Sequence, residues 1–356
     1  MHVVKKLAYW PIAAGVIFGI VAPLLVKFGN PGNMGMCAAC FLRDISGALG
    51  FHSAAIVQYI RPEIIGLILG AFVSSFLFKE FKPRAGSAPL ARFFLGVFAM
   101  IGALVFLGCP WRMFLRLSAG DWTALAGLAG LIVGILVGIY FFKKGFSLGR
   151  NRPAHPLVGY IMPLFGVVLL ALLLWGMYGE ATPVKFSTKG PGSMYAPLFI
   201  SLGVGLLLGF VFQKSRFCTI AAVRDTVLLK ETHILQGLVA FVLLAFITNM
   251  LLGQFHTGFE KQPIAHNDAL WNFLGMVLSG LALTLVGGCP GRQLVLSGEG
   301  DSDAGVFIMG LIVGAGVAHN FALASSPAGI GANAPFMVFA GLIFCIILGV
   351  FAKERR

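Results

Sequence analysis

The sequence Gly-Cys-Pro-Trp-Arg at positions 108–112 and its second copy, Gly-Cys-Pro-Gly-Arg at 288–292, decide the fold of this chain. Each copy closes a long apolar run and places a thiol beside a proline, where a lipid-buried helix would otherwise continue. The copies lie 180 residues apart, and the same offset relates Leu-Ile-Val-Gly at 131–134 to Leu-Ile-Val-Gly at 311–314. The chain is therefore predicted to consist of two homologous halves.

A second repeated pattern begins at Cys37 and returns 181 residues later at Cys218. In both copies an arginine and an aspartate follow the cysteine by six and seven residues, as Arg43-Asp44 and Arg224-Asp225. With the Gly-Cys-Pro copies, each half then presents two thiols to a shared centre.

The composition indicates a membrane protein. Hydrophobic residues make up 58% of the 356 residues and charged residues only 11%, which is unusual for a soluble domain of this size. The Lys and Arg residues behind the net charge of +13 stand in short clusters between apolar runs. That distribution follows the positive-inside rule and does not indicate nucleic-acid binding. We predict an all-α polytopic membrane protein in the lipid bilayer.

Ten apolar runs predict ten spans, since a span needs about 20 apolar residues. They cover roughly 8 to 28, 62 to 78, 93 to 108, 123 to 142, 157 to 178, 195 to 213, 233 to 252, 271 to 287, 304 to 323 and 334 to 352. The basic clusters, which include Lys5, Lys6, Arg355 and Arg356, fall on one side if both termini are cytoplasmic. We expect a multi-pass protein of the bacterial cytoplasmic (inner) membrane, with its N-terminal apolar run retained as the first span.

Segments 32–59 and 215–230 are too polar and interrupted to span, so we predict a short re-entrant helix in each. Five predicted spans separate Cys37 from Cys218, so the second copy enters from the opposite side of the membrane. Such inverted repeats are typical of transporters, and they predict an hourglass shape with an outer and an inner vestibule. The predicted units are a first repeat at 1–150, a connecting span and loop at 151–193, a second repeat at 194–325 and a C-terminal span at 326–356.

The Gly-Cys-Pro copies predict a binding site for an anion. Proline suits the first position of a helix, which makes Cys109 and Cys289 the predicted N-caps. The unpaired amides and positive end of a helix attract an anion. A thiol is a weak, polarisable donor that suits an outer sulfur or selenium atom, and successive neutral sites let an anion move on. Cys37 and Cys109 are expected to face the outer vestibule, and Cys218 and Cys289 the inner one.

Cys37 and Cys40 also form a Cys-x-x-Cys pair, the spacing of redox motifs and of half a zinc site. The second half has Ala221 at the position that corresponds to Cys40, and no second pair completes a metal set. We therefore predict no metal and no cofactor. Cys345, inside the last run, is expected to be a small buried hydrophobe.

The repeated charges have two interpretations. They either concentrate anions in the vestibules or pair with nearby groups to hold the short helices, because an unpaired intramembrane charge is costly. The choice applies to Arg43, Asp44, Arg224 and Asp225, which we assign as structural charges, and to Arg112 and Arg292, which we include among the binding residues. The loop 253–269 is expected to be peripheral and to carry no chemistry.

The Gly-Cys-Pro copies, the Cys-x5-Arg-Asp segments and the two-fold hydropathy together resemble the YeeE/YedE membrane transporters over essentially the whole chain. The run Cys-Ala-Ala-Cys-Phe-Leu-Arg-Asp-Ile-Ser-Gly at 37–47 is most similar to the selenium-transporter branch, a relative of the thiosulfate-uptake branch. The resemblance implies an hourglass of helices that passes thiosulfate by S–H hydrogen bonds to three cysteines. These correspond to Cys37, Cys109 and Cys289, with Cys40 as an alternative to Cys37. A small cytoplasmic thiol-bearing protein is a partner implied by the family alone.

The main hypothesis is a transporter, and not an enzyme, that takes up a small sulfur- or selenium-containing anion without covalent chemistry. The rival is a membrane thiol oxidoreductase or sulfur carrier that uses Cys37 and Cys40. A non-covalent path predicts a mild effect of Cys40→Ala, whereas the rival predicts a strong one. A structural membrane subunit is the third alternative. The choice between sulfur and selenium, the coupling ion and the oligomeric state stay open.

Overall fold

The structure is a computed structural model that describes residues 8–179 and 182–353. Lys5, Lys6, Arg355 and Arg356, on which the orientation of the termini partly rests, lie outside the described residues.

Long apolar helices make up most of the described chain. They are α1 Tyr9–Lys27, α3 Pro62–Leu77, α4 Pro89–Phe106, α6 Ala124–Lys143, α8 Ile161–Tyr178, α9 Leu198–Ser215, α11 His233–Leu251, α12 Ala269–Val286, α14 Ser302–Asn320 and α15 Ala334–Phe351. Shorter helices are α2 Ala38–Ala48, α5 Pro110–Ser118, α7 Pro156–Gly159, α10 Thr219–Leu228 and α13 Pro290–Gly298. The prediction of an all-α polytopic membrane protein is confirmed.

Each of the ten predicted spans corresponds to one long helix. In the described part of the chain, nine helical segments are long and apolar enough to cross a membrane. The remaining predicted span is α3, an apolar helix of 16 residues. Because an ideal helix rises 1.5 Å per residue, α3 is shorter than the hydrocarbon core by about 6 Å. The short helices α2 and α10 lie within the two segments predicted to be re-entrant.

The helix packing follows a two-fold pattern. Four large contacts join the two halves: α3 packs on α9, α4 on α14, α11 on α1 and α12 on α6. The helices α1–α6 correspond in order to α9–α14. When each helix is replaced by its counterpart, every one of these four contacts becomes another of the four. The backbones approach closely through glycine: a Cβ at Gly205 would lie 2.5 Å from the Glu63 carbonyl oxygen, and one at Gly15 would overlap the Gly237 carbonyl. Small residues allow this kind of packing in lipid.

Two helices stand outside the exchanged set. Helix α8, in the segment predicted to connect the halves, packs mainly on α3, whereas α15 packs mainly on α12 and α4. The surroundings of the two halves therefore differ, although their inner helices correspond.

Several basic loops meet at one end of the molecule. The two short strands β1 Arg84–Ala85 and β2 Arg152–Pro153 pair there in antiparallel fashion. At the same end Glu80 accepts hydrogen bonds from Gln213 Nε2 at 2.6 Å and from Lys214 Nζ at 3.1 Å. These two hydrogen bonds lower the pKa of the Glu80 carboxyl. The predicted clustering of basic residues on one side agrees with these contacts.

Candidate functional site

Four short helices begin at cysteines. Cys109 and Cys289 are the N-caps of α5 and α13, as the prolines at the first helical position predicted. Cys37 and Cys218 are the N-caps of α2 and α10, which the sequence analysis did not predict because no proline follows them. All four side chains are at most 2% exposed. Four positive helix ends are thus directed at buried thiols.

The first thiol cluster consists of Cys37, Cys40 and Cys109. Cys37 Sγ lies 2.8 Å from Cys40 Sγ and 3.6 Å from Cys109 Sγ, and it accepts a hydrogen bond from the Cys40 backbone N–H at 3.3 Å. The caps of α2 and α5 therefore meet at their sulfur atoms. Because Cys40 is one of the three, the first half offers one thiol more than the second.

The second thiol cluster consists of Cys218 and Cys289. Cys218 Sγ accepts hydrogen bonds from the backbone N–H groups of Cys289 at 3.3 Å and of Ala221 at 3.5 Å. Cys289 Sγ accepts one from the backbone N–H of Arg292 at 3.5 Å. The repeat therefore brings the caps of α10 and α13 together as it does those of α2 and α5.

Arg112 places a buried positive charge beside the first thiol cluster. Its guanidinium Nη1 lies 3.9 Å from Cys40 Sγ, and the side chain is fully buried. Its remaining hydrogen bonds go to backbone carbonyl oxygens, those of Asn33, Leu107, Pro263 and Ile264. No carboxylate among residues 8–179 and 182–353 forms an ion pair with it. The charge is solvated by carbonyl dipoles but is not neutralised.

Arg292 occupies the corresponding position in the second half, with a different outcome. Its Nη1 forms an ion pair with Glu299 Oε1 at 3.0 Å, and Glu299 is itself buried. The two halves therefore share the thiols but differ in charge. The arginine of the first cluster has no carboxylate partner among the described residues, and that of the second has Glu299, which it shares with Arg216.

The loop 253–269 was predicted to be peripheral, and this prediction is wrong in part. The carbonyl oxygens of Pro263 and Ile264 accept hydrogen bonds from Arg112 Nη2 at 3.3 and 3.1 Å. The loop folds over the start of α5 and holds the guanidinium. Carbonyl groups leave no side-chain signal in a sequence, so the pattern of residues did not reveal this role.

The repeated Arg-Asp residues form ion pairs within the short helices. Arg43 binds Asp44 Oδ1 at 2.6 Å, and Arg61, which the sequence analysis did not single out, binds Asp44 Oδ2 at 2.7 Å. In the second half Arg224 alone binds Asp225, at 2.7 Å. These four repeated residues thus form ion pairs with each other in α2 and α10.

Trp111 lies between the start of α5 and the start of α13. It follows Cys109 by two residues, and its indole lies across Gly291, the residue at the matching position after Cys289. Phe18 and Phe212 pack on the indole with ring centroids 4.9 and 5.4 Å away. Aromatic rings therefore lie where the starts of α5 and α13 meet.

Comparison with known proteins points to sulfur transport. A family profile described as sulphur transport matches residues 214–348, which include Cys218, Cys289 and Arg292. The match supports the resemblance of this chain to the YeeE/YedE transporters. Among its relatives is the thiosulfate transporter TsuA of Spirochaeta thermophila, 31% identical over 103 residues that make up 29% of this chain and 31% of TsuA.

Two more distant relatives extend the YeeE/YedE comparison. The H(+)/Cl(−) exchange transporter ClcA of Yersinia pestis is 22% identical over 244 residues, or 57% of this chain and 49% of ClcA. The uncharacterized protein MJ1590 of Methanocaldococcus jannaschii is 28% identical over 100 residues, or 25% of this chain and 95% of MJ1590. The chain thus matches about a third of TsuA and half of ClcA.

Proposed function

We propose that this chain belongs to the YeeE/YedE family and carries a small sulfur-containing anion, such as thiosulfate or its selenium analogue, across the bacterial cytoplasmic membrane. The path runs from the first thiol cluster to the second. The observation that carries the proposal is a buried, uncompensated Arg112 beside three thiols at two helix N-termini. The relative TsuA, named a thiosulfate transporter, supports the substrate class.

The charge balance favours an anion. A buried cation without a carboxylate is costly, and a bound anion next to Cys40 would neutralise Arg112. The N-termini of α2 and α5 add partial positive charge at the same place. The first thiol cluster is therefore suited to an anion and unsuited to a cation.

The thiols favour an anion with a soft outer atom. An S–H group is a weak donor and a polarisable contact, which suits the terminal sulfur or selenium of such an anion better than a hard oxyanion. In the second cluster Glu299 neutralises Arg292, so an anion there meets thiols and amides without a strong fixed charge. Weak successive sites allow the anion to leave.

Orientation and partners belong to the same proposal. We infer that both termini face the cytoplasm, where the basic end with Glu80, Lys214 and Arg84 lies. The inverted repeats then occupy 1–150 and 194–325, and the second thiol cluster faces the cytoplasm. A small thiol-bearing protein that receives the anion would dock at this basic end.

Uptake of radiolabelled thiosulfate into proteoliposomes tests the proposal, with selenite and selenosulfate as competitors. Cys109→Ala and Cys289→Ala should abolish uptake, whereas Cys345→Ala, which removes a buried thiol outside both clusters, should leave it unchanged. Full uptake by either cluster variant would refute the thiol path. Growth on thiosulfate of a strain that lacks its own importers provides the same comparison in cells.

Arg112→Gln tests the charge argument. Hydrogen bonds to charged groups contribute about 1.5–3 kcal/mol, so the half-saturation concentration should rise about 10- to 100-fold. The matched control is Arg292→Gln, where the arginine is already neutralised and the rise should be smaller. An equal effect of both substitutions would contradict a special role for Arg112.

A thiol oxidoreductase is the second candidate, and the Cys37 Sγ–Cys40 Sγ distance of 2.8 Å favours it. It predicts a persulfide, selenosulfide or disulfide on these residues, visible by mass spectrometry after incubation with the substrate, and loss of activity in Cys40→Ala. Unmodified cysteines and a mild effect of Cys40→Ala would exclude the oxidoreductase and support the non-covalent path.

A further inference from the structure

The indole of Trp111 contains a buried hydrogen-bond donor without an acceptor. The residue is 1% exposed, and its Nε1 has no partner among the described residues. Leaving a buried donor unpaired costs about 1–3 kcal/mol, so most buried Trp residues have an acceptor. A phenylalanine at this position would carry no such cost, so we expect the N–H group to have a function.

The location of the donor suggests that reason. A Cβ at Gly291 would overlap Cζ2 and Cη2 of the indole and lie 2.6 Å from Cε2, the ring carbon bonded to Nε1, so the six-membered ring lies on α13 and the N–H group adjoins this contact. Cys109 precedes Trp111 by two residues, and Cys289 precedes Gly291 by two. The indole therefore lies where the residues that follow Cys109 meet those that follow Cys289.

A second buried donor without an acceptor lies at the start of α10. Thr219, which directly follows Cys218, has a buried hydroxyl without a hydrogen-bond partner among the described residues. Two unpaired donors thus belong to residues at the start of α5 and α10. Aromatic rings otherwise surround Trp111, with Phe18 stacked on Phe241 behind it.

We propose that Trp111 Nε1–H donates a hydrogen bond to the transported anion as the anion passes from the first thiol cluster to the second. This inference rests on the proposed function. Moving an anion past Phe18 and Phe212 without a donor would leave it unsolvated between two favourable sites. A single N–H group at this point lowers that barrier, and a neutral donor does not trap the anion as a lysine or arginine would.

Trp111→Phe separates this role from packing. Phenylalanine keeps an aromatic ring beside Phe18 and Gly291 but has no N–H group. Thiosulfate uptake by proteoliposomes should fall at least about tenfold, while the thermal midpoint in detergent stays at or above that of wild type, since an unpaired buried donor has been removed. The control Trp122→Phe alters an exposed tryptophan outside both clusters and should transport like wild type.

A fluorescence titration measures the contact without transport. The protein keeps Trp111 as its single tryptophan, and phenylalanine replaces Trp10, Trp122, Trp175 and Trp271. Thiosulfate, but not chloride at the same ionic strength, should change the emission with a midpoint near the half-saturation concentration of uptake. An unchanged emission would overturn the proposal.

The outcomes separate the two levels of inference. If wild type takes up none of thiosulfate, selenite and selenosulfate, the proposed function fails. If wild type takes up thiosulfate and Trp111→Phe does so at the same rate, only the role of Trp111 fails, and the ring is a packing element.

Discussion

The ion pairs of Asp44 and Asp225 occupy corresponding positions in the repeat but differ in burial, which allows a matched test of their structural role. Asp44 accepts from Arg43 and from Arg61, and all three side chains are at most 3% exposed. Asp225 has Arg224 as its ion-pair partner within the described residues, and the two side chains are 12% and 20% exposed. Replacing each aspartate by asparagine keeps the shape and removes the charge.

The expected destabilisation follows from this difference. Breaking a buried ion pair costs about 3–5 kcal/mol, and Asp44→Asn leaves two buried arginines facing an amide, so we expect about 5 kcal/mol. A more exposed pair contributes about 1 kcal/mol or less. With an unfolding entropy of about 2.1 cal/mol/K per residue, these values correspond to a fall in Tm of roughly 7 °C for Asp44→Asn and about 1 °C for Asp225→Asn.

Thermal unfolding in detergent, followed by circular dichroism, measures both shifts, and thiosulfate uptake is measured on the same preparations. Equal shifts, or a larger one for Asp225→Asn, would refute the assignment of Asp44 as the anchor of α2. If Asp44→Asn kept the wild-type Tm and still lost uptake, the carboxylate would belong to the path and not to the scaffold.

Other predictions concern packing, oxidation and pH. Gly291→Ala should lower stability by about 1–3 kcal/mol because the added methyl overlaps Trp111, and Trp111→Leu in the same chain should restore the thermal midpoint. Diamide should oxidise Cys37 and Cys40 to a disulfide and block uptake until dithiothreitol is added, whereas Cys40→Ala should be insensitive. The lowered pKa of Glu80 stabilises the fold above its unfolded pKa of about 4.3, and this stability is lost as pH falls through the lower folded pKa. Glu80→Gln should therefore reduce the acid-induced fall in thermal midpoint, and an unchanged fall would contradict the contribution.

Local patterns predicted the helices and part of the site. Apolar runs revealed the long helices because each must span lipid with its backbone hydrogen-bonded internally. Proline after cysteine predicted the caps at Cys109 and Cys289, because proline at the first helical position needs no hydrogen-bond acceptor. The caps at Cys37 and Cys218 lacked this signal. The repeat itself suggested their role, since each recurs at nearly the same offset.

Contacts between distant segments were not predictable in the same way. Arg61 reaches Asp44 only because α3 begins beside α2, and the carbonyl groups of Pro263 and Ile264 reach Arg112 only through the fold of a loop. The meeting of Trp111 and Gly291 had a visible signal, since unlike residues occupy the same place in two otherwise similar motifs. A large residue opposite the smallest one is what a close crossing of two helix starts requires.

The unequal charges of the two clusters have a thermodynamic consequence. A path without an energy source obeys detailed balance, so neutralising Arg292 but not Arg112 cannot set the final concentration ratio of the anion across the bilayer. The difference in charge can make the affinity for the anion differ between the two sides of the membrane. Under the proposed function, the concentration that half-fills the path should be lower on the side of Arg112, and the anion should be released more readily on the other side.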